Sequence, residues 1–80
     1  MSPWWLVGEY RVGFFSEPDE ADRPHVHISS GKGAAKFWLD PVSLARNGGF
    51  NEHDLAKAKR AVTANAHWLF SEYKKHHGAL

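Results

Sequence analysis

Apolar and polar residues alternate along the segment that begins at Pro24. Val26 and Ile28 alternate with His25 and His27. Because successive side chains of a β-strand point to opposite faces, the two apolar residues share one face and the two imidazoles share the other. The Ser-Gly-Lys-Gly sequence that follows is typical of a tight turn. This stretch therefore predicts the first half of a hairpin, with one apolar face and one face that carries paired histidines.

Apolar runs on both sides of this strand predict further strands of the same sheet. Residues 10–14 alternate well enough to form one, and residues 35–39 form the partner that follows the turn. Residues 42–45 predict a short fourth strand, whereas residues 46–49 predict a loop because they combine Asn with two glycines. The apolar run at residues 4–7 is either a separate edge strand or the front of the strand that follows.

Helical periodicity begins after residue 51. Asn51 is a good N-cap, and Asp54 lies at N3, where a carboxylate favours the positive end of a helix. An apolar stripe then continues at helical spacing to Tyr73, and Gly78 ends the helix. A single helix of this length overhangs its short strands unless it breaks near Asn65. An overhanging apolar end favours a homodimer or a protein partner.

Together these elements predict an α+β fold in a single domain over residues 1–80. It consists of a small curved antiparallel sheet of three or four strands, packed by one long C-terminal helix. The core is predicted from the inward positions of the strands and the helix: Val12, Phe14, Val26, Ile28, Phe37, Leu39, Leu44, Leu55, Val62 and Leu69.

Composition excludes some classes of site and leaves others open. The 80 residues include 10 Lys and Arg against 9 Asp and Glu, which gives a net charge of +1. The net charge alone therefore does not indicate binding to nucleic acid or to an anionic membrane. The absence of cysteine excludes disulfides and thiolate zinc sites. No apolar segment approaches the ~20 residues of a membrane helix. No signal peptide is recognisable at the N-terminus, so we expect a cytoplasmic protein.

The paired histidines are the best candidates for chemistry. In the predicted hairpin, Lys36 and Trp38 fall on the same face as His25 and His27. Such a patch suits stacking on a single-stranded base with contact to its phosphate. The same groups suit RNA cleavage, with the histidines as acid and base and with Lys36 or Arg11 stabilising the phosphate charge. The third interpretation is structural: the imidazoles bond or stack across the sheet.

A metal site is a further alternative for His25 and His27. Two imidazoles at positions i and i+2 of a strand can share a divalent metal such as zinc, which would need a third ligand. The candidates for that ligand are the acidic loop at residues 17–22 and His53. Because no complete ligand set is visible, the histidines stay open as metal ligands, catalysts or structural residues.

Two features of the helix are candidate binding residues. Asn65 lies on the apolar stripe, where a buried amide needs a hydrogen-bond partner. We expect that partner to be sheet or loop backbone, and the alternatives are the histidine face or a partner chain. Lys57 and Arg60 begin a polar stripe on the outer side of the helix, which is either simply solvated or makes a shallow contact with nucleic acid.

The chain also resembles a known family. Four motifs carry the resemblance, which runs from about Tyr10 to the C-terminal helix: Phe15-Ser16, Pro24-His25-Val26-His27, Lys36-Phe37-Trp38-Leu39 and the segment 44–50. They resemble the bacterial domain-of-unknown-function family 4160. The resemblance implies a small intracellular component of a toxin–antitoxin system. Together with the candidate patch, it leads us to expect action through a protein partner or as a homodimer, with nucleic acid as a further ligand of the His25 and His27 face. It brings no catalytic residues, so a metal-dependent or histidine-based ribonuclease stays the alternative function, and whether the chain is an enzyme stays open.

Overall fold

The computed structural model describes residues 4–14 and 23–75. A five-stranded antiparallel sheet, ordered as the chain runs, carries two helices on one face. The strands are β1 (Trp4–Val7), β2 (Tyr10–Gly13), β3 (His25–Ser30), β4 (Gly33–Leu39) and β5 (Val42–Gly48), and the helices are α1 (Glu52–Ala64) and α2 (Ala66–Tyr73). The α+β class is confirmed, but among the described residues the sheet has five strands rather than three or four, and two helices take the place of one. Neither described helix is long and apolar enough to cross a membrane.

Each strand pairs with the next because the described connections are short. Gly8 and Glu9 join β1 to β2, and Gly31 and Lys32 join β3 to β4. Two-residue connections of this kind can only join antiparallel neighbours. The acidic loop between β2 and β3, which contains residues 17–22, lies outside the described residues.

The core lies between the inner face of the sheet and the helices. Val12 pairs with Ile28, and Val26 pairs with Phe37, so the apolar residues of neighbouring strands line up on this face. All four are at most 2% exposed, and burial of such a side chain stabilises the fold by about 1.5–3 kcal/mol. Two members of the predicted core are not buried: Leu44 is 43% exposed because β5 is an edge strand, and Leu55 is half-buried. The other predicted core residues are confirmed: Val12, Phe14, Val26, Ile28, Phe37, Leu39, Val62 and Leu69.

The predicted continuous helix is interrupted at Asn65, whose backbone leaves the helical region at φ −113° and ψ 11°. The Asn65 side chain donates to the carbonyl of Ala61 at 2.8 Å, so its partner is the preceding helical turn and not the sheet or a loop. Tyr73, the last residue of α2, is buried. The predicted overhang is therefore wrong for Tyr73, whereas Trp68 is 39% exposed and packs edge-on against Trp5.

The segment 46–49, predicted to be a loop, mostly belongs to β5. Asn47 pairs with the backbone of β4, and its side chain both donates to the carbonyl and accepts from the N–H of Phe50. Gly33 packs so closely on this turn that a Cβ there would lie 2.6 Å from the Phe50 nitrogen. The backbone pairing of β5 with β4 and the hydrogen bonds of the Asn47 side chain therefore outweigh the preference of Asn and Gly for loops. They also fix where α1 begins, with Asn51 as the predicted N-cap accepting from the Asp54 N–H at 2.8 Å.

Candidate functional site

The outward positions of β3 and β4 bring the predicted site residues together. His25 pairs with Trp38, and His27 pairs with Lys36. Directly paired residues lie on the same face of a sheet, so the prediction that these four share one face is confirmed. The core residues of the sheet lie on the other face, so we call this one the outer face; at its His25 end, however, the end of α2 reaches it through Tyr73.

A β-bulge adds Arg46 to the outer face. Phe37 pairs with Leu44 on the inner side, yet Lys36 pairs with Arg46, so Ala45 is one residue more than strict pairing allows. An extra residue of this kind shifts the alternation of the bulged strand. Arg46 therefore lies directly across from Lys36, at the edge of the sheet next to the candidate site.

These residues surround a groove of about 290 Å³ on the outer face. His27 and Lys36 line its centre, Trp4 from β1 lines one side, and Arg46 from β5 lines the other. Flat strands spaced ~4.8 Å apart would hold the first and last strands of this sheet about 19 Å apart. Because both reach one groove, the sheet curls around it. None of the described residues that line the groove is acidic.

Two cations lie close to the indole of Trp38. The guanidinium carbon of Arg23 is 4.0 Å from the ring centroid, and Nζ of Lys36 is 5.0 Å from it. Lys36 is only 2% exposed to solvent. Its cation–π contact with Trp38 helps to stabilise the ammonium charge at this buried position. Arg23 thereby covers a face of the ring that was predicted to stack on a base. The more accessible indole at the groove is Trp4, which is 40% exposed and has Arg11 at 5.9 Å from its centroid.

The two histidines have different surroundings. His25 is 1% exposed, and its Nδ1 lies 2.8 Å from the carbonyl oxygen of Arg23. Since a carbonyl only accepts, Nδ1 carries the proton. The His25 ring packs edge-on against Tyr73 of α2 at 5.7 Å, and it lies at the same distance from His27. His27 is half-buried and lines the groove. The accessible imidazole of the pair is therefore His27.

The described residues do not complete a metal site around this pair. No group of three His, Asp or Glu side chains lies together anywhere in residues 4–14 and 23–75. His53, one predicted third ligand, is exposed in the first turn of α1. The other predicted source, the carboxylates of residues 17–22, lies outside the described part of the chain.

The other predicted binding residues lie away from the groove. Lys57 and Arg60 are on α1, on the helical side of the sheet, and Lys57 forms an ion pair with Glu9 at 3.7 Å. Asn65 is half-buried at the junction of the two helices. The predicted polar stripe begins on α1 and runs past this residue onto α2.

Sequence reasoning missed three residues of the outer face, namely Trp4, Arg23 and Arg46. Trp4 belongs to the apolar run at residues 4–7, and the pattern of apolar and polar residues does not show whether this run is a separate strand. Arg23 precedes the recognised strand and reaches its place by stacking on Trp38. Arg46 reaches the outer face only because of the β-bulge, and the Asn-Gly-Gly sequence that follows it does not predict a bulge.

Comparison with known proteins identifies the family of the chain. No curated protein and no solved structure matches it. A family model described as a domain of unknown function, DUF4160, matches residues 10–74. This range contains the histidine pair, Lys36, Trp38 and Arg46, and it leaves β1 outside. The predicted resemblance is confirmed, and the chain belongs to the DUF4160 family.

Proposed function

We propose that this protein is a nucleic-acid-binding interaction module and that the groove on its outer face is the binding site. One observation carries the proposal: the register gathers His27, Lys36 and Arg46 around a groove whose described lining contains no carboxylate. A polyphosphate backbone is the biological ligand that such a surface suits best, because each contact releases a condensed counterion.

Segregation of charge supports the proposal better than total charge does. The chain as a whole carries a net charge of only +1. The outward strand positions nevertheless include Arg11, Lys36 and Arg46 without an acidic residue among those described. Glu9, the acidic residue nearest to β2 along the chain, pairs with Lys57 on the helical side. The face where the groove lies is thus positive because no carboxylate among the described residues balances its cations.

A toxin–antitoxin system is the setting that we propose for this binding, and the family resemblance is what supports it. In that role the chain would act in the cytoplasm through a protein partner or as a homodimer, and the groove would supply the contact with RNA or DNA. Leu6, which is 79% exposed on the edge strand β1, supports a protein contact beside the nucleic-acid site. Co-purification of the native protein with its partner tests this part of the proposal.

A ribonuclease remains the alternative, and the contact between the His25 and His27 rings favours it. In that function His27 and Lys36 meet the scissile phosphate, and His25 is the second acid–base group or, with His27, a ligand for a divalent metal. The position of His25 favours the binding function instead, because its buried ring does not line the groove, unlike Lys36, and a ribose in the groove would not reach it.

The test of the proposed function is the affinity for a fluorescent ten-nucleotide RNA over a range of salt concentrations. We expect the logarithm of the affinity to fall with the logarithm of the salt concentration with a slope of about −2, as for roughly three phosphate contacts on a single strand. Arg46→Ala should reduce that slope by about 0.7, whereas Arg60→Ala on α1 should leave it unchanged. Salt-independent binding, or an equal effect of both variants, would refute the proposal. Shortening of the RNA on a gel would favour the ribonuclease.

A further inference from the structure

We infer that the ligand of the groove is single-stranded and that Trp4 stacks on one of its bases. This inference rests on the proposed function and names the class of nucleic acid. It starts from the composition of the groove, which has an indole on one side and a guanidinium on the other. The positive groups are sufficient to bind phosphates, and they leave the exposed aromatic ring without a role in binding. Stacking on a nucleobase is the contact that such a ring makes in nucleic-acid complexes.

The surroundings of Trp4 fit an unpaired base. The ring is 40% exposed, and it lines both the main groove and a second hollow of about 290 Å³. Trp5, Leu6 and Arg11 line that second hollow with it. A strand that follows the two hollows passes from Arg46 across Trp4 to Arg11, with a cation on each side of the stacked base. Alternation of cation and aromatic ring is the usual arrangement of single-strand sites.

A duplex does not fit the same arrangement. Its bases stay stacked on one another inside the helix, and it presents mainly phosphates and sugars to a concave surface. It could meet Lys36 or Arg46 but could not place a base on Trp4. The accessible ring therefore gives preference to a single strand, with little preference for base identity, because every base has a π-face.

Trp4 belongs to β1, which lies outside the family-matched residues 10–74. The Lys36 and Arg46 side of the groove lies within them. We therefore assign phosphate contact to the family-matched part of this chain and base stacking to the strand that precedes it. A shortened chain that begins at Tyr10 would lose the stacking contact, but Trp4→Ala is the better test because it keeps the sheet edge.

The experiment compares wild type, Trp4→Ala, Trp4→Phe and Trp68→Ala on three RNA ligands. The ligands are a ten-nucleotide single strand, a duplex of the same length and an abasic single strand with the same phosphates. Trp68 is the matched control because it is 39% exposed but lies on α2. We expect Trp4→Ala to bind the single strand about tenfold more weakly and the duplex unchanged. Trp4→Phe should retain most of the affinity. Trp68→Ala should retain nearly all of it, because Trp68 lines neither hollow and contacts the second one through Trp5.

The abasic strand tests the inference without any change to the protein. Wild type should bind it about tenfold more weakly than the normal single strand, even if Trp4→Ala fails to fold. Equal affinity for the normal and abasic strands, or for the single strand and the duplex, would overturn the inference. If salt-dependent binding persists in that case, the proposed function stands alone. If none of the three ligands binds, both proposals fail.

Discussion

Lys36 and Arg46 lie directly across from each other on neighbouring strands, although both are cations. Like charges at opposed positions destabilise a sheet. The fold nevertheless turns Arg46 to this position through a bulge, and strict alternation from Leu44 would turn it to the core. A pair that costs stability and lines a groove is typical of a site under functional demand.

Arg46→Glu should therefore change stability and binding in opposite directions. A carboxylate opposite Lys36 replaces repulsion by attraction and should raise the free energy of unfolding by about 0.5 kcal/mol. The same change should weaken RNA binding about tenfold or more, because it removes a charged contact and repels phosphate. Urea denaturation and fluorescence anisotropy on the same sample measure the two effects. If the variant is less stable than wild type, Arg46 does not repel Lys36 in the folded protein. If it binds RNA as tightly as wild type, Arg46 has no role in binding.

Gly33 and Gly31 offer a matched pair for testing the junction between β4 and the start of α1. Gly33 has φ +153°, and a Cβ there would lie 2.6 Å from the Phe50 nitrogen and 2.8 Å from the Gly49 carbonyl carbon. A Cβ at Gly31 would meet nothing within 4 Å. Gly33→Ala should lower the free energy of unfolding by about 1–3 kcal/mol because backbone must move. Gly31→Ala should change it by about 0.5 kcal/mol or less. Equal losses in the two variants would contradict this account of the junction.

The sheet was predictable where alternation is strict and neighbours are close in sequence. Val26 and Ile28 fix which face of β3 is buried, and the short turn then places Lys36 opposite His27. Neither step needs information from distant residues. The faces of the central hairpin and most of the core were therefore predicted correctly.

The rest depended on contacts that local pattern does not contain. The break at Asn65 is a competition between an amide and the helix backbone, which no apolar periodicity reveals. Tyr73 of α2 packs against His25, so the burial of that imidazole depends on a tertiary contact and not on the composition of β3 alone. Similarly, the bulge at Ala45 places Arg46 through pairing with β4. Half of the candidate site was thus visible in sequence, and the half placed by tertiary contacts was not.

Tyr10 should make the protein lose stability in alkaline solution. Burial, reinforced by the negative charge of Glu9, raises the pKa of the Tyr10 phenol above its usual value of 10.0. The folded protein therefore holds the phenol proton more tightly than the unfolded chain does. This contribution is fully present below pH 10 and is lost as the pH rises through the raised pKa.

Tyr10→Phe isolates that contribution because it keeps the ring, which packs edge-on at 6.4 Å from Phe50. The free energy of unfolding of wild type should fall relative to that of the variant as the pH rises above about 10. Lysines also titrate in this range, but they are common to both proteins and cancel in the difference. A difference that stays constant over this pH range would show that the phenol proton is held no more tightly in the folded state.

His25 and His27 should respond differently to replacement by alanine, although they are two residues apart on one strand face. His25 is 1% exposed and packs between His27, Trp38 and Tyr73, so His25→Ala leaves a cavity. We expect it to lower the free energy of unfolding by about 2–4 kcal/mol. His27→Ala, at a half-buried position in the groove, should cost about 1 kcal/mol or less and should weaken RNA binding without unfolding the protein.

The two single variants also separate binding from catalysis, which a double variant cannot do because loss of His25 disturbs the fold. His25→Gln is the control, since it keeps a polar side chain and fills part of the space. If His27→Ala and His25→Gln both stay folded and both abolish RNA cleavage while RNA binding persists, the pair is catalytic. If His25→Gln leaves every activity intact and His27→Ala weakens only RNA binding, then His25 is structural. Its contact with Tyr73 then holds α2 against the sheet, while His27 alone faces the ligand.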